Sequence, residues 1–394
     1  RQSPGTIIRA HIINWLHYLV AICAILTCST YFVIESGSGN SFPTYLLTLA
    51  MLPLLVLQGR AFRTLKIDWA LVALTALFLV YMAFSVAWST SDERVMKSLA
   101  EALLVFTFCL AIPISVARFH WFLNTLVVLV ILAAIVNCGY SIYLHFALPD
   151  YQPLPEPRLY SLGRLSNPVI GALSYSFATV LAVYMILTEE RRVAKTAYVL
   201  AALFFLWAIV LTGSRGAYLA LAAGISLGAF LRYPGKLKIQ MLGVVFTLAV
   251  LALTAYLFLG PELLFKRALS FRPEIWTEFI ARTIAGNIWI GVGMTTDSTF
   301  QLPELLIKHP HSVLVSTFYY GGAIGLVTYL AMIVRAMFAL HQNKESNLRL
   351  LGTMLLAFGL AATALDGDEV VTKVNYLWLL IWIPVAIAMA RSPG

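Results

Sequence analysis

Two histidines, His309 and His311, lie between a long polar connection carrying Arg267, Arg272 and Arg282 and an apolar run that opens at Ser312. Imidazole exchanges a proton near neutral pH, and neighbouring arginines favour its neutral form, so His311 can serve as a general base. The His-x-His pair could instead hold a metal, but a catalytic metal site usually needs a third protein ligand. Asp366, Asp368 and Glu369, in another turn, are the candidates for that third place. A structural reading also stands, in which the histidines are satisfied at the mouth of an apolar helix.

Arginines supply the complementary chemistry. Leu211-Thr212-Gly213-Ser214-Arg215-Gly216 reads as a tight turn, with Ser214 as N-cap and Arg215 in the first turn of the next helix. A helix N-terminus favours anions, so a cation there calls for an anionic ligand, an acidic partner or lipid headgroups. Arg272 repeats the pattern, because Pro273 is favoured at the start of a helix. Two guanidinium forks at two helix starts suit a diphosphate. Arg158 and Arg164, on another long connection, could join the same basic pocket or meet headgroups and surface acids.

The elements that position these residues are membrane spans. Of the 394 residues, 60% are hydrophobic and 11% charged, with a mean hydropathy of +0.85. Apolar runs long enough to cross a bilayer core of roughly 30 Å recur throughout. They fall at about 13–34, 43–58, 68–88, 97–115, 119–147, 168–188, 195–212, 215–232, 239–259, 312–340, 348–365 and 372–390. Twelve spans in an all-α polytopic membrane protein follow, as one integral-membrane domain covering residues 1–394. Trp15 to Ile34 reads as a retained first span rather than a cleaved signal. Cys23, Cys28, Cys109 and Cys138 all fall inside spans and read as small packing residues.

The net charge of +9 does not point to nucleic acid, because the basic residues sit in short turns between spans. One alternating set of turns, which includes both termini, holds sixteen Lys and Arg against four acids, whereas the other set holds eleven against thirteen. The positive-inside rule makes the first set cytoplasmic. The outer face then carries the connections at 148–166 and 260–311, and the turns holding Arg215 and Asp366 to Glu369. Within the longer connection, Ile275, Trp276, Phe279, Ile280, Thr283 and Ile284 share a helical face over 273–287. That segment reads as an amphipathic helix at the membrane surface, or as a cap over the ends of the spans.

His311-Ser312, nine residues, then Gly322-Ala323-Ile324-Gly325 resembles the signature of bacterial O-antigen ligases: His, then Asn, Ser or Gln, nine residues, Gly, two residues, then Gly, Thr or Tyr. Gly213-Ser214-Arg215-Gly216 is similar to the family's arginine turn. Arg272 with Ile275-Trp276 and Gly291-Val292-Gly293 is similar to the segment with its second arginine.

This resemblance implies an inverting glycosyltransferase of a Gram-negative inner membrane, with its site at the periplasmic face and the 260–311 connection as a periplasmic loop. The donor would be O-antigen on undecaprenyl diphosphate, and the acceptor a sugar hydroxyl of lipid A-core. Neither metal nor other cofactor is implied. His311, Arg215 and Arg272 would be catalytic; Arg158, Arg164, His309 and Asp368 would bind substrate; Ser312, Gly213, Gly216, Gly322 and Gly325 would shape the motif. An O-antigen polymerase or a related oligosaccharyltransferase would use the same donor, and the long loop just before the histidine motif favours the ligase. A lipid-linked sugar transporter would show inverted repeats and broken spans near the midplane, whereas here the polar residues gather at one face. Oligomeric state is left open.

Overall fold

The computed structural model describes residues 4–59, 64–147, 158–233, 235, 271–302 and 305–391. Its helices are α1 (Pro4–Val33), α2 (Gly37–Gln58), α3 (Trp69–Phe84), α4 (Val95–Arg118), α5 (Phe122–Ala147) and α6 (Pro168–Thr188). They continue as α7 (Arg192–Thr212), α8 (Arg215–Arg232), α9 (Arg272–Gly286), α10 (Val313–Gln342), α11 (Ser346–Leu365) and α12 (Trp378–Met389). A two-stranded antiparallel ribbon, β1 (Phe300–Leu302) with β2 (Leu305–Ile307), precedes α10. The chain is an all-α polytopic membrane protein. Among the described residues nine helices are long and apolar enough to cross a membrane. The span read at 239–259, and the 260–270 part of the long connection, lie outside the described residues.

The outer flanks are apolar, with side chains such as Leu49, Val56, Leu77, Val80, Leu200 and Leu203 more than half exposed. Such a surface is stable only against lipid, where hydrocarbon rather than water is the solvent. Polar contacts gather at the helix ends. At one end the Asp68 carboxylate caps α3 through Leu71 N–H and receives Arg335 at 2.6 and 3.0 Å and Arg391 at 2.6 Å. Every one of these residues belongs to the turn set read as cytoplasmic. The histidines, Arg215 and the 366–371 turn meet at the opposite end.

Three spans differ from the sequence reading. The helix α8 stands where a span was read, at 215–232, but is not among the nine. The last span, read at 372–390, is a short helix that begins with a π turn, Trp378–Trp382. Its residues are all buried, so protein rather than lipid surrounds it and its length need not match the hydrocarbon. The span read as continuous over 312–340 is broken at Gly322, where φ is 62° and ψ −162°. A break frees backbone groups that must find partners in a dry environment. Residues 288–293 supply them: Val292 and Gly293 N–H donate to the Tyr319 and Tyr320 carbonyls at 3.0 and 2.9 Å, and Ala323 and Ile324 N–H donate to Ile288 and Trp289 at 2.8 and 3.1 Å. The Tyr81 hydroxyl donates to the Gly321 carbonyl at 2.6 Å. Gly291 and Gly322 pack backbone to backbone, and a Cβ on either would strike the other's strand. The glycine of the histidine motif is thus the point where the long connection is stitched into a span.

Candidate active site

His311 stands at the mouth of α10 with φ 53°. A side chain in the left-handed region costs about 1–3 kcal/mol and persists only where its surroundings impose it. The other two such non-glycine residues among those described, Phe271 and Thr295, lie on the same connection. The imposition here is visible on both sides of His311. The Trp276 indole of α9 donates to the Pro310 carbonyl at 3.1 Å, and Ser312 holds the N-cap position of α10. Ser312 is buried, and it starts the helix through its carbonyl, which accepts from Ser316 N–H at 2.8 Å.

The His311 Nδ1 lies 3.3 Å from Asp366 Oδ1. The His311 side chain is 36% exposed and that of Asp366 only 11%, so the carboxylate sits below the ring and one imidazole edge faces out. Asp366 caps α11 at its C-terminal end. Sequence reading weighed it as a metal ligand and chose Asp368 for the site; the structure gives the histidine to Asp366. Among the described residues no three His, Cys, Asp or Glu side chains are grouped to hold a metal. Asp368 is half-buried beside it, with its Oδ1 accepting from the Ser316 and Tyr320 hydroxyls at 3.2 and 3.4 Å. Burial raises its carboxyl to about 6 against those hydrogen bonds. Glu369 accepts from Thr295 N–H at 2.6 Å, and burial followed by the neighbouring Asp368 charge raises it to about 7.

His309 packs its ring on His311 with centroids 3.9 Å apart. Burial, and secondarily the His311 charge, push its imidazole down to about 4. It is therefore neutral at physiological pH and buttresses the outer ring.

The arginine turn packs on the end of α11, beside Asp366. Gly213 ends α7 at φ 64°, and Ser214 takes the N-cap position of α8 as expected, although its hydroxyl makes no capping bond. Thr212 orders the turn instead: its Oγ1 accepts from Ser214 N–H at 3.4 Å, and its carbonyl accepts from Arg158 Nε at 2.6 Å. Arg158 thereby joins Arg215 at this turn. Gly216 packs on Leu365, next to Asp366, and Arg215 beside it is exposed.

Arg272 opens α9 with Pro273 in the first turn, one residue earlier than read, and Phe271 is the cap. It stands one helical turn before Trp276 and so on the face that reaches Pro310. Its Nε is buried and has no hydrogen-bond partner among the described residues. The inner face of α9 is Ile275, Phe279 and Thr283, all buried, with Phe279 against the rings of Phe300 and Tyr319. Ile280 and Ile284 are exposed. The helix therefore caps the spans and keeps an apolar edge outside, which unites the two sequence readings.

Arg164 is not part of this group. Its Nη2 donates to the Val374 carbonyl at 2.6 Å, and its guanidinium lies against Gly37 at the start of α2. Gly325, one turn beyond the break, packs against Met82 of α3. Asp366 as the partner of His311 was missed because nothing local marks it: 55 residues separate the two. Its place directly after an apolar span, on the same side as His311, was the available signal.

Comparison with known proteins agrees with this geometry. A family model described as O-Antigen ligase matches residues 200–330, which include the arginine turn, α9, the stitched segment and the histidine motif. The chain is 30% identical over 339 residues to a protein named O-antigen ligase from Pseudomonas aeruginosa, which covers 85% of this chain and 80% of that protein. With the length covered and the motif residues gathered at one end of the spans, this chain belongs to the O-antigen ligase family.

Proposed function

We propose that the protein is an inverting glycosyltransferase that moves O-antigen polysaccharide from undecaprenyl diphosphate to a sugar hydroxyl of lipid A-core, at the periplasmic face of a bacterial inner membrane. The observation that carries the mechanism is the His311–Asp366 pair at 3.3 Å, with the turn that holds Arg215 packed through Gly216 on the neighbouring Leu365. Asp366 accepts a hydrogen bond from Nδ1–H, which leaves Nε2 bare on the exposed edge as the proton acceptor. The acceptor hydroxyl oxygen attacks the anomeric carbon as His311 Nε2 takes its proton. The bond from that carbon to the diphosphate oxygen breaks, and its electron pair leaves with undecaprenyl diphosphate. Arg215 and Arg272, joined by Arg158, hold the diphosphate and stabilise the charge that grows on it. The buried Arg272 Nε, without a partner among the described residues, is a donor suited to such an oxygen. One displacement inverts the anomeric centre, and no step in it calls for a metal.

Both termini, with Asp68, Arg335 and Arg391, face the cytoplasm in this arrangement, by the charge asymmetry of the turns. The test is transfer by the purified protein in lipid nanodiscs, with both substrates and excess chelator present. Sugar appearing on lipid A-core supports the reading, whereas longer chains remaining on undecaprenyl diphosphate make the protein a polymerase. His311→Ala should remove transfer, and Asp366→Asn should lower it by about 10²–10³-fold, within the range for a general base. Full activity in His311→Ala would sink the assignment of the base.

A further inference from the structure

A cavity opens at the same end of the bundle, between α1 and α5. It measures about 270 Å³, and its lining includes Glu35, Asn137, Tyr140, Gly163 and Arg164. That is just below the ~300–1,000 Å³ of small-molecule sites, whose usual lining is aromatic surface with a few fixed polar groups. The floor is rigid: Asn137 donates to the Phe32 carbonyl at 2.7 Å and accepts from the Tyr175 hydroxyl at 2.6 Å. Arg164, through its bond to Val374, ties the cavity wall to the segment that carries Asp366.

From the cavity a row of exposed rings runs along the end of α5. Tyr140 and Tyr143 are 55% and 61% exposed and stack with centroids 6.2 Å apart and planes 16° from parallel. Phe146 in turn stacks on Trp207 at 6.2 Å and 17°. With 26 residues, α5 is roughly 39 Å long against a hydrocarbon core of roughly 30 Å. The excess of roughly 9 Å puts up to about its last six residues, with Tyr143 and Phe146, at or beyond the headgroups, and Tyr140 at the inner edge of that zone. Rings there could serve only as a membrane-interface belt. A belt does not account for a carboxylate, a guanidinium and an amide set in a cavity where the row ends.

We infer that this cavity and the Tyr140–Tyr143 rungs form a saccharide subsite of the transfer reaction. A pyranose offers an apolar ring face and a rim of hydroxyls; the tyrosine rings match the first, and Glu35, which accepts, and Arg164, which donates, match the second. The saccharide belongs either to the polysaccharide of the donor or to the oligosaccharide of the acceptor. The inference rests on the transferase reading above.

Initial rates measured while each substrate is varied in turn separate these sources. Tyr140→Ala should raise KM for one of the two substrates about 5-fold with kcat within about twofold, the mark of binding lost equally from ground and transition states. The substrate whose KM moves identifies the source. Tyr140→Phe, which keeps the ring, should bring that KM most of the way back to the parent's value. Glu35→Gln, at an exposed position, should raise the same KM and guards against misfolding of the alanine variant. Unchanged KM for both substrates in Tyr140→Ala and Glu35→Gln, or a fall in kcat alone, overturns the subsite while leaving the transferase reading intact. No transfer by the parent overturns both.

Discussion

Replacing Gly322 by alanine should separate the long connection from the span into which it is stitched. The backbone at φ 62° and ψ −162° falls where only glycine is comfortable, so a Cβ there costs about 1–3 kcal/mol before it touches anything. That Cβ would also meet the Trp289 carbonyl carbon and oxygen, which are backbone and cannot rotate aside. Relief requires residues 288–293 to withdraw, and four backbone hydrogen bonds join them to α10. At about 1 kcal/mol net for each bond lost, the total comes to roughly 5–7 kcal/mol. Taking about 2 °C per kcal/mol for a large chain, the apparent Tm should drop by on the order of 10–14 °C. The comparison is Gly321→Ala, whose Cβ meets only the Met82 sulfur at 2.6 Å and Tyr81 at 3.4 Å. A thioether at the end of a flexible side chain can move, so about 1 kcal/mol is expected. The assay is thermal unfolding of both variants in one detergent at one scan rate, with transfer measured alongside. If Gly322→Ala matches the parent, or Gly321→Ala is the worse of the two, the account of the broken helix is wrong.

Two further substitutions test the opposite end and the buried acids. Asp68→Asn should destabilise by about 3 kcal/mol, at the low end for breaking a buried pair because Arg335 and Arg391 keep 23% and 45% side-chain exposure. Burial raises the Asp68 carboxyl, but the two guanidiniums and Leu71 N–H outweigh it and hold the group below its ordinary value. Its contribution is accordingly present above about pH 4 and lost as the pH falls through the lowered value; thermal unfolding at pH 7 and pH 3 should show the gap between parent and variant close. Glu369 is the reverse case. Raised to about 7, it gives stability that is complete below about pH 4 and lost as the pH rises toward 7. Glu369→Gln keeps an oxygen for Thr295 N–H, so it should flatten the decline in Tm between pH 5 and 8; an unaltered slope would remove Glu369 from the explanation.

The spans and the surface helix were legible because each is written locally. The pattern of Ile275, Phe279 and Thr283 names the buried face of α9. The motif residues were legible through resemblance, but not the work of their glycines. In an apolar run Gly321-Gly322 looks like a tolerated pair, and only the arrival of residues 288–293 from outside makes it a break. The same holds for Asp366, for Arg158 at the Thr212 carbonyl, and for the direction in which Arg164 turns. Each depends on a partner distant in the chain, and periodicity carries no such information. The brevity of α12 was hidden for another reason: a helix apolar all round has no face to mark, and surrounding protein relieved it of spanning lipid alone.

The stitching of α10 also has a consequence in time. The bonds that hold this end of the bundle together join Tyr81 to Gly321, Ser85 to Met294, Arg164 to Val374 and His311 to Asp366, across 240, 209, 210 and 55 positions of chain. Contacts so distant form late, and synthesis runs from the N-terminus. A chain that has inserted its first ten helices still has His311 without its carboxylate and Arg164 without its anchor. On the mechanism proposed above, His311 gains its partner only when the last two helices are in place.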